Sequence, residues 1–104
     1  MGFLDSLFNN KKVDYKQLVK DGAVIVDVRS PQEYASGHIT GSINIPLTKI
    51  STQVDALKER YPVIITCCAS GNRSGMALGS LNKAGIEAYN GGSWNSLNKK
   101  INAV

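Results

Sequence analysis

The sequence predicts an α/β fold, a small open parallel β-sheet flanked by helices on both faces. Three observations carry that prediction. Residues 23–28 and 63–67 are β-branched, apolar runs of strand length, continuous rather than alternating, as buried strands of a parallel sheet are. Segments with apolar residues at helical spacing separate them, and Gly, Pro or Ser stands where one pattern gives way to the next.

Taken in order, Val13 leads into a short helical pattern through Tyr15, Leu18 and Val19, stopped by Gly22. Ala23 to Val28 is the first buried strand, closed by Asp27 and Arg29. Ser30-Pro31 opens a short helix, because Ser suits the N-cap and Pro the first helical position, with Gln32 and Glu33 in the first turn. Ile43-Asn44-Ile45-Pro46 reads as a short extended piece. Ile50, Val54, Leu57 and Tyr61 fall at helical spacing until Tyr61-Pro62, where the residue before proline leaves the helical region. Val63 to Cys67 is the next strand, and Met76, Ala77, Ser80, Leu81 and Ala84 form one face of the helix after it, stopped by Gly85. Ile86 to Tyr89 reads as a last strand, followed by Gly91-Gly92 and a terminal helix containing Trp94 and Leu97.

The 104 residues make one domain of ordinary soluble composition, 42% hydrophobic and 19% charged. A net charge of +4 favours anionic partners, but the lysines are scattered and no basic cluster alternates with aromatics, so nucleic acid is not an expected partner. The two cysteines are adjacent and cannot staple distant segments, which suits a reducing, cytoplasmic setting. No stretch approaches the roughly 18 apolar residues of a membrane span, and the N-terminus lacks the marks of a secretory signal. Residues 1–12 read as an N-terminal extension ahead of a domain at 13–104. In the extension Phe3, Leu4, Leu7 and Phe8 share one face of a short amphipathic helix, to pack on the domain or rest weakly at an interface. Met1-Gly2 with Ser6 formally fits an acylation pattern.

Chemistry concentrates in Cys68-Ala69-Ser70-Gly71-Asn72-Arg73-Ser74. A short turn between strand and helix places a thiol over a helix N-terminus, where unpaired N–H groups and the helix dipole favour a thiolate and suit an anion. Cys68 is the candidate nucleophile. Ala69, Ser70, Gly71 and Asn72 are expected to turn N–H groups inward around the substrate, Gly71 being free to take a left-handed turn. Arg73 is the expected cationic wall for substrate oxygens, and Ser74 the expected helix cap. Arg29 is expected to pair with Glu33 across the strand-to-helix turn, and His38, the lone histidine, to satisfy nearby backbone. No spacing suggests a metal site or a nucleotide loop, and no cofactor is expected.

Two segments together resemble the rhodanese-like sulfurtransferase domain. Residues 26–46, with Asp27-Val28-Arg29 and Gly37-His38-Ile39, are similar to its N-terminal signature. Residues 68–74 are similar to its active-site loop, and Gly91-Gly92 with Trp94 approximate its C-terminal region, although Trp94 follows Gly92 by only two residues. The resemblance, over residues 13–97, implies a persulfide on Cys68. It also implies transfer of sulfane sulfur from thiosulfate or a related small anionic donor to cyanide or a thiol, a protein acceptor included.

Cys67 opens an alternative. From Cys68 the arginine completes C-x4-R, the shorter loop of sulfurtransferases; from Cys67 it completes C-x5-R, the loop of cysteine phosphatases and arsenate reductases. The apolar run continuing through Cys67, and Thr66 where a phosphatase would carry its histidine, favour Cys68. Cys67 then reads as core, with a strained Cys67–Cys68 disulfide as a regulatory option. A non-catalytic module presenting the same loop to a partner is the reading from a different class.

Overall fold

The computed structural model describes residues 13–104, so the amphipathic stripe read in residues 1–12 lies outside the described residues. The two β-branched runs form β1 (Val24–Asp27) and β3 (Val63–Cys68), which pair in parallel with Val24 opposite Ile64 and Asp27 opposite Cys67. The short β2 (Ile43–Asn44) adds to the outer side of β1, and β4 (Glu87–Ser93) to the outer side of β3. The sheet order is β2-β1-β3-β4, all parallel. Among the described residues five α-helices cover it: α1 (Tyr15–Lys20), α2 (Pro31–Ala35), α3 (Ile50–Arg60), α4 (Asn72–Lys83) and α5 (Trp94–Ile101). Among the described residues no helix is long and apolar enough to cross a membrane.

Because successive side chains of a strand point to opposite faces, β1 and β3 feed two cores. Val26, Val28, Ile64 and Cys68 pack with Ile50 and Leu57 of α3 and Ala77 and Leu81 of α4. Ile25, Ile65 and Cys67 pack on the other face with Leu97 of α5, flanked by Tyr15, Leu18 and Val19 of α1. The adjacent cysteines therefore belong to different cores. A Cys67–Cys68 disulfide would have to break the pleat of β3.

Most helix boundaries follow the local chemistry read from the sequence. Ser30 caps α2 as part of a capping box: its hydroxyl accepts the Glu33 N–H, and its own N–H donates to the Glu33 carboxylate. Tyr61 leaves α3 in an extended conformation ahead of Pro62, and Gly85 turns left-handed after α4. Two expectations are corrected. The buried face of α4 is Ser74, Ala77 and Leu81, while Met76 is exposed and Ser80 faces solvent, because the helix sits rotated by one residue relative to the sequence stripe. The last strand continues past Tyr89 through Gly91-Gly92 to Ser93.

That continuation is a bulge. Thr66 pairs with Asn90 and Cys68 with Ser93, so β4 spends one residue more than β3 over the same span. Gly91 makes it possible: a Cβ there would lie 2.8 Å from Leu97 Cδ2 and 2.9 Å from the Thr66 carbonyl oxygen. Gly91→Ala is expected to lower the urea-unfolding free energy by roughly 1–3 kcal/mol through overpacking. Gly79→Ala, in α4 where an added Cβ meets nothing within 4 Å, is expected to raise it by about 0.5–1 kcal/mol. Equal effects of the two substitutions would contradict the packing described for the bulge.

Candidate functional site

β3 ends at Cys68, and α4 starts four residues later at Asn72. The chain therefore reverses over Ala69, Ser70 and Gly71, and Gly71 does so at φ +100° as the N-cap of α4. A glycine N-cap has no side chain to receive the first N–H groups of its helix, and here the sulfur takes that part. Cys68 Sγ accepts the Gly71 N–H at 3.0 Å and the Ser74 N–H, in the third helical position, at 3.4 Å. No hydrogen bond from Ala69 or Asn72 reaches it. Ser74 does not cap α4, as the sequence suggested. Its buried hydroxyl lies 3.4 Å from the sulfur and donates to Asn90 Oδ1 at 2.7 Å.

The two thiols differ in what surrounds them. Burial pushes the Cys68 thiol up, but hydrogen bonds that favour the thiolate, from the Ser74 hydroxyl when it turns to the sulfur and from the Ser74, Ser70 and Gly71 N–H groups, outweigh it, and its pKa lies below the ordinary thiol value. Cys67, also fully buried, has no such donors; burial and the nearby Asp27 carboxylate push it to about 12. Cys67 thus lacks both the orientation and the ionisation that the longer C-x5-R loop would require of it. Cys68 itself shows no exposed surface, whereas Ala69 and Ser70, which follow it, are exposed.

Arg73, the expected wall, is engaged by Glu33: its guanidinium lies with Nη1 2.7 Å from Oε1 and Nη2 3.0 Å from Oε2. That contact, with the Ser30 N–H bond behind it, holds the Glu33 carboxyl down to about 2. The expected Arg29–Glu33 ion pair is absent. Arg29 instead chelates the buried Asp27 carboxylate, at 2.9 Å through Nε and 2.8 Å through Nη2, and donates to the main-chain carbonyls of Glu33 and Gly37. Trp94 stacks over this guanidinium at 4.9 Å. His38 is exposed, its ring stacked on Tyr34 and its Nδ1 2.7 Å from the Tyr34 carbonyl oxygen. A depression of about 240 Å³ borders Arg73, lined also by Val28, Ser30, Pro46, Leu47 and Thr48.

The sequence reading passed over one residue of this site. Asn90 holds the Ser74 hydroxyl, donates through Nδ2 to the Gly71 carbonyl at 3.1 Å and accepts the Gly92 N–H at 2.9 Å. Its only sequence signal is a polar side chain directly before the Gly-Gly pair.

With this geometry the family is clear: a family model described as the rhodanese-like domain matches residues 11–99, and the chain belongs to that family. An uncharacterized protein of Bacillus subtilis, YqhL, is 39% identical over 69 residues, 65% of this chain and 54% of that protein. The thiosulfate sulfurtransferase GlpE of Stutzerimonas stutzeri is 34% identical over 68 residues, 65% of this chain and 62% of that protein. In both, the match spans less than two thirds of the relative's own length. Among solved structures, a rhodanese-like domain protein from Staphylococcus aureus superposes with a TM-score of 0.68 at 27% identity, covering 85% of this chain and 86% of that one.

Two measurements check the electrostatics. The Glu33–Arg73 contribution to stability is complete above the ordinary carboxylate value of 4.5 and fades as the pH falls through about 2. In Arg73→Ala the Glu33 carboxyl, followed by carbon NMR, is expected to titrate higher than in the wild type but still below 4.5, because the Ser30 N–H bond remains; an unchanged midpoint would show that Arg73 is not its partner. Iodoacetamide at neutral pH is expected to label Cys68 faster than Cys67, because only Cys68 is held towards its thiolate, and peptide mass mapping that finds both labelled equally would contradict the assigned ionisation.

Proposed function

We propose that this chain is a sulfurtransferase that carries sulfane sulfur as a persulfide on Cys68. The observation that carries the reading is a sulfur at the end of a parallel strand accepting N–H groups of the loop and of the first turn of α4. Such a setting stabilises an anionic sulfur before and after the transferred atom is added. The Cys68 thiolate attacks the outer sulfur of thiosulfate, expelling sulfite and leaving Cys68–S–S⁻. The acceptor, cyanide or a thiolate, small or on a protein, then takes the outer sulfur and returns the Cys68 thiolate.

In this reading Ala69, Ser70, Gly71, Asn72 and Ser74 surround the donor. The loop is short enough to enclose a sulfur atom and leaves the donor's sulfonate oxygens outside, towards Arg73. The depression beside Arg73, apolar along Val28, Pro46 and Leu47, accommodates the body of a thiol acceptor. A cysteine that must ionise to react suits a reducing, cytoplasmic setting. The reaction asks nothing of a metal or an organic cofactor.

Incubation with thiosulfate is expected to add the mass of one sulfur to Cys68, removed again by cyanide, and Cys68→Ser is expected to take up none. Cys67→Ala is expected to keep the reaction. A wild-type protein that stays unmodified would overturn the proposal, and release of phosphate from an aryl phosphate that depends on Cys68 would replace it with a phosphatase.

A further inference from the structure

Ser74 and Asn90 make an arrangement that the transfer reaction does not by itself explain. A serine hydroxyl has one proton to give and lone pairs to receive with. The orientation of the Asn90 amide is settled by two neighbours. The Gly92 N–H can only donate, so the atom 2.9 Å from it is Oδ1; the Gly71 carbonyl can only accept, so the atom 3.1 Å from it is Nδ2. Ser74 Oγ lies 2.7 Å from that Oδ1, an acceptor, and must point its one proton there. The side of the hydroxyl that faces Cys68 Sγ, 3.4 Å away, is therefore a lone pair. It receives the proton of a thiol and repels the charge of a thiolate.

We propose that Asn90 is a positioning residue for the Cys68 sulfur: it draws the Ser74 hydroxyl proton to itself while the sulfur is a neutral thiol and releases it to the sulfur once the sulfur carries charge. The inference rests on the reading of Cys68 as the reacting sulfur. The switch needs only rotation about the Ser74 C–O bond, because the Ser74 carbonyl is held by the Thr66 hydroxyl at 3.0 Å and the backbone N–H already meets the sulfur. Asn90 Oδ1 is not orphaned when the hydroxyl turns away, since it keeps the Gly92 N–H. The same amide ties the Gly71 carbonyl, so the residue that governs the proton also holds the turn that presents the Gly71 N–H.

The charged and titrating groups near the sulfur lie on its own strand and on the elements packed against it. They are Arg73 of α4 with its partner Glu33 of α2, and Cys67 of β3 with the Asp27–Arg29 pair of β1. On and against β4, Tyr89 bonds the Glu87 carboxylate, and Tyr15 donates its hydroxyl to the Asn90 carbonyl at 3.0 Å. Burial raises the Tyr15 hydroxyl and the bond to Glu87 raises that of Tyr89, while the Cys68 thiol moves the other way.

The test is the pH midpoint of Cys68 alkylation by iodoacetamide, read on the Cys68 peptide, in wild type, Asn90→Ala, Ser74→Ala and the double variant. With Ala at 74, removing Asn90 acts only through the Gly71 and Gly92 contacts. With Ser at 74 it also frees the hydroxyl for the thiolate, so the shift is expected to be more downward by about 0.5–1 pH unit, the size of one hydrogen bond. Equal shifts in the two backgrounds would reduce Asn90 to a holder of the loop, and a more upward shift with Ser74 present would mean that it aims the hydroxyl at the sulfur; either overturns the inference. Should Asn90→Ala not fold, Asn90→Leu keeps the side-chain bulk without the polar atoms and carries the same comparison. Thiosulfate uptake by the wild type, measured alongside, separates the two ideas. A wild type that takes up no sulfur removes the sulfurtransferase reading whatever the midpoints show, and equal shifts remove the role of Asn90 while leaving that reading in place.

Discussion

The site depends on one constraint: a parallel strand must hand over to a helix within three residues, directly above the sheet edge at which the strand ends. Only a left-handed residue turns the chain that sharply, and Gly71 at φ +100° supplies it. The same glycine leaves α4 without a side chain to cap it. The first-turn N–H groups then need an acceptor, and the nearest atom able to serve is the sulfur that the end of β3 lifts into their midst. Fold geometry and thiol ionisation are thus one fact seen twice. β4 accommodates the turn from the other side, where a Cβ on Gly71 would come within 3.4 Å of Gly92 Cα.

Two arginine–carboxylate pairs frame this turn and differ in kind. Asp27 and Arg29 are buried, with side-chain exposures of 0% and 6%, and the guanidinium spans the Glu33 and Gly37 carbonyls and the face of Trp94. Removing one partner of such a pair strands a buried charge, at a cost of roughly 3–5 kcal/mol. Its work is to fix the β1–α2 connection. Glu33 and Arg73 are more than a third exposed, and the capping box has already placed the Glu33 carboxylate where Arg73 finds it. A pair of that exposure contributes little to stability. It fixes instead where the Arg73 guanidinium stands.

The legible parts of the chain were those governed by neighbours in sequence. The Ser30 cap, the Pro62 and Gly85 stops and the buried runs of β1 and β3 are local bargains between side chain and backbone, and they stand where the spacing put them. The misreadings have another origin. Arg29 and Glu33 are four residues apart, the spacing of a helical ion pair, yet Arg29 sits outside α2 and turns back to Asp27, while Glu33 is claimed by an arginine 40 residues away. Ser74 resembled a cap because it lies near a helix start, but its partners come from β3 and β4. Met76 resembled core because helical spacing fixes a stripe only to within a residue's rotation.

By itself the amino-acid order determined the alternation of strands and helices, the loop with its cysteine and arginine, and the resemblance of two separated segments to one family. Those properties reside in local conformational preference and in the order of residue types. Tertiary structure alone decided which core takes Cys67 and which takes Cys68, that Arg73 pairs with Glu33, and that Asn90 reaches the sulfur's neighbours through a β-bulge. Each of these turns on which residue of β3 lies opposite which residue of β4, or on which helix a strand end faces. Such pairings follow from the joint packing of the sheet and its helices, and no window along the chain contains both partners.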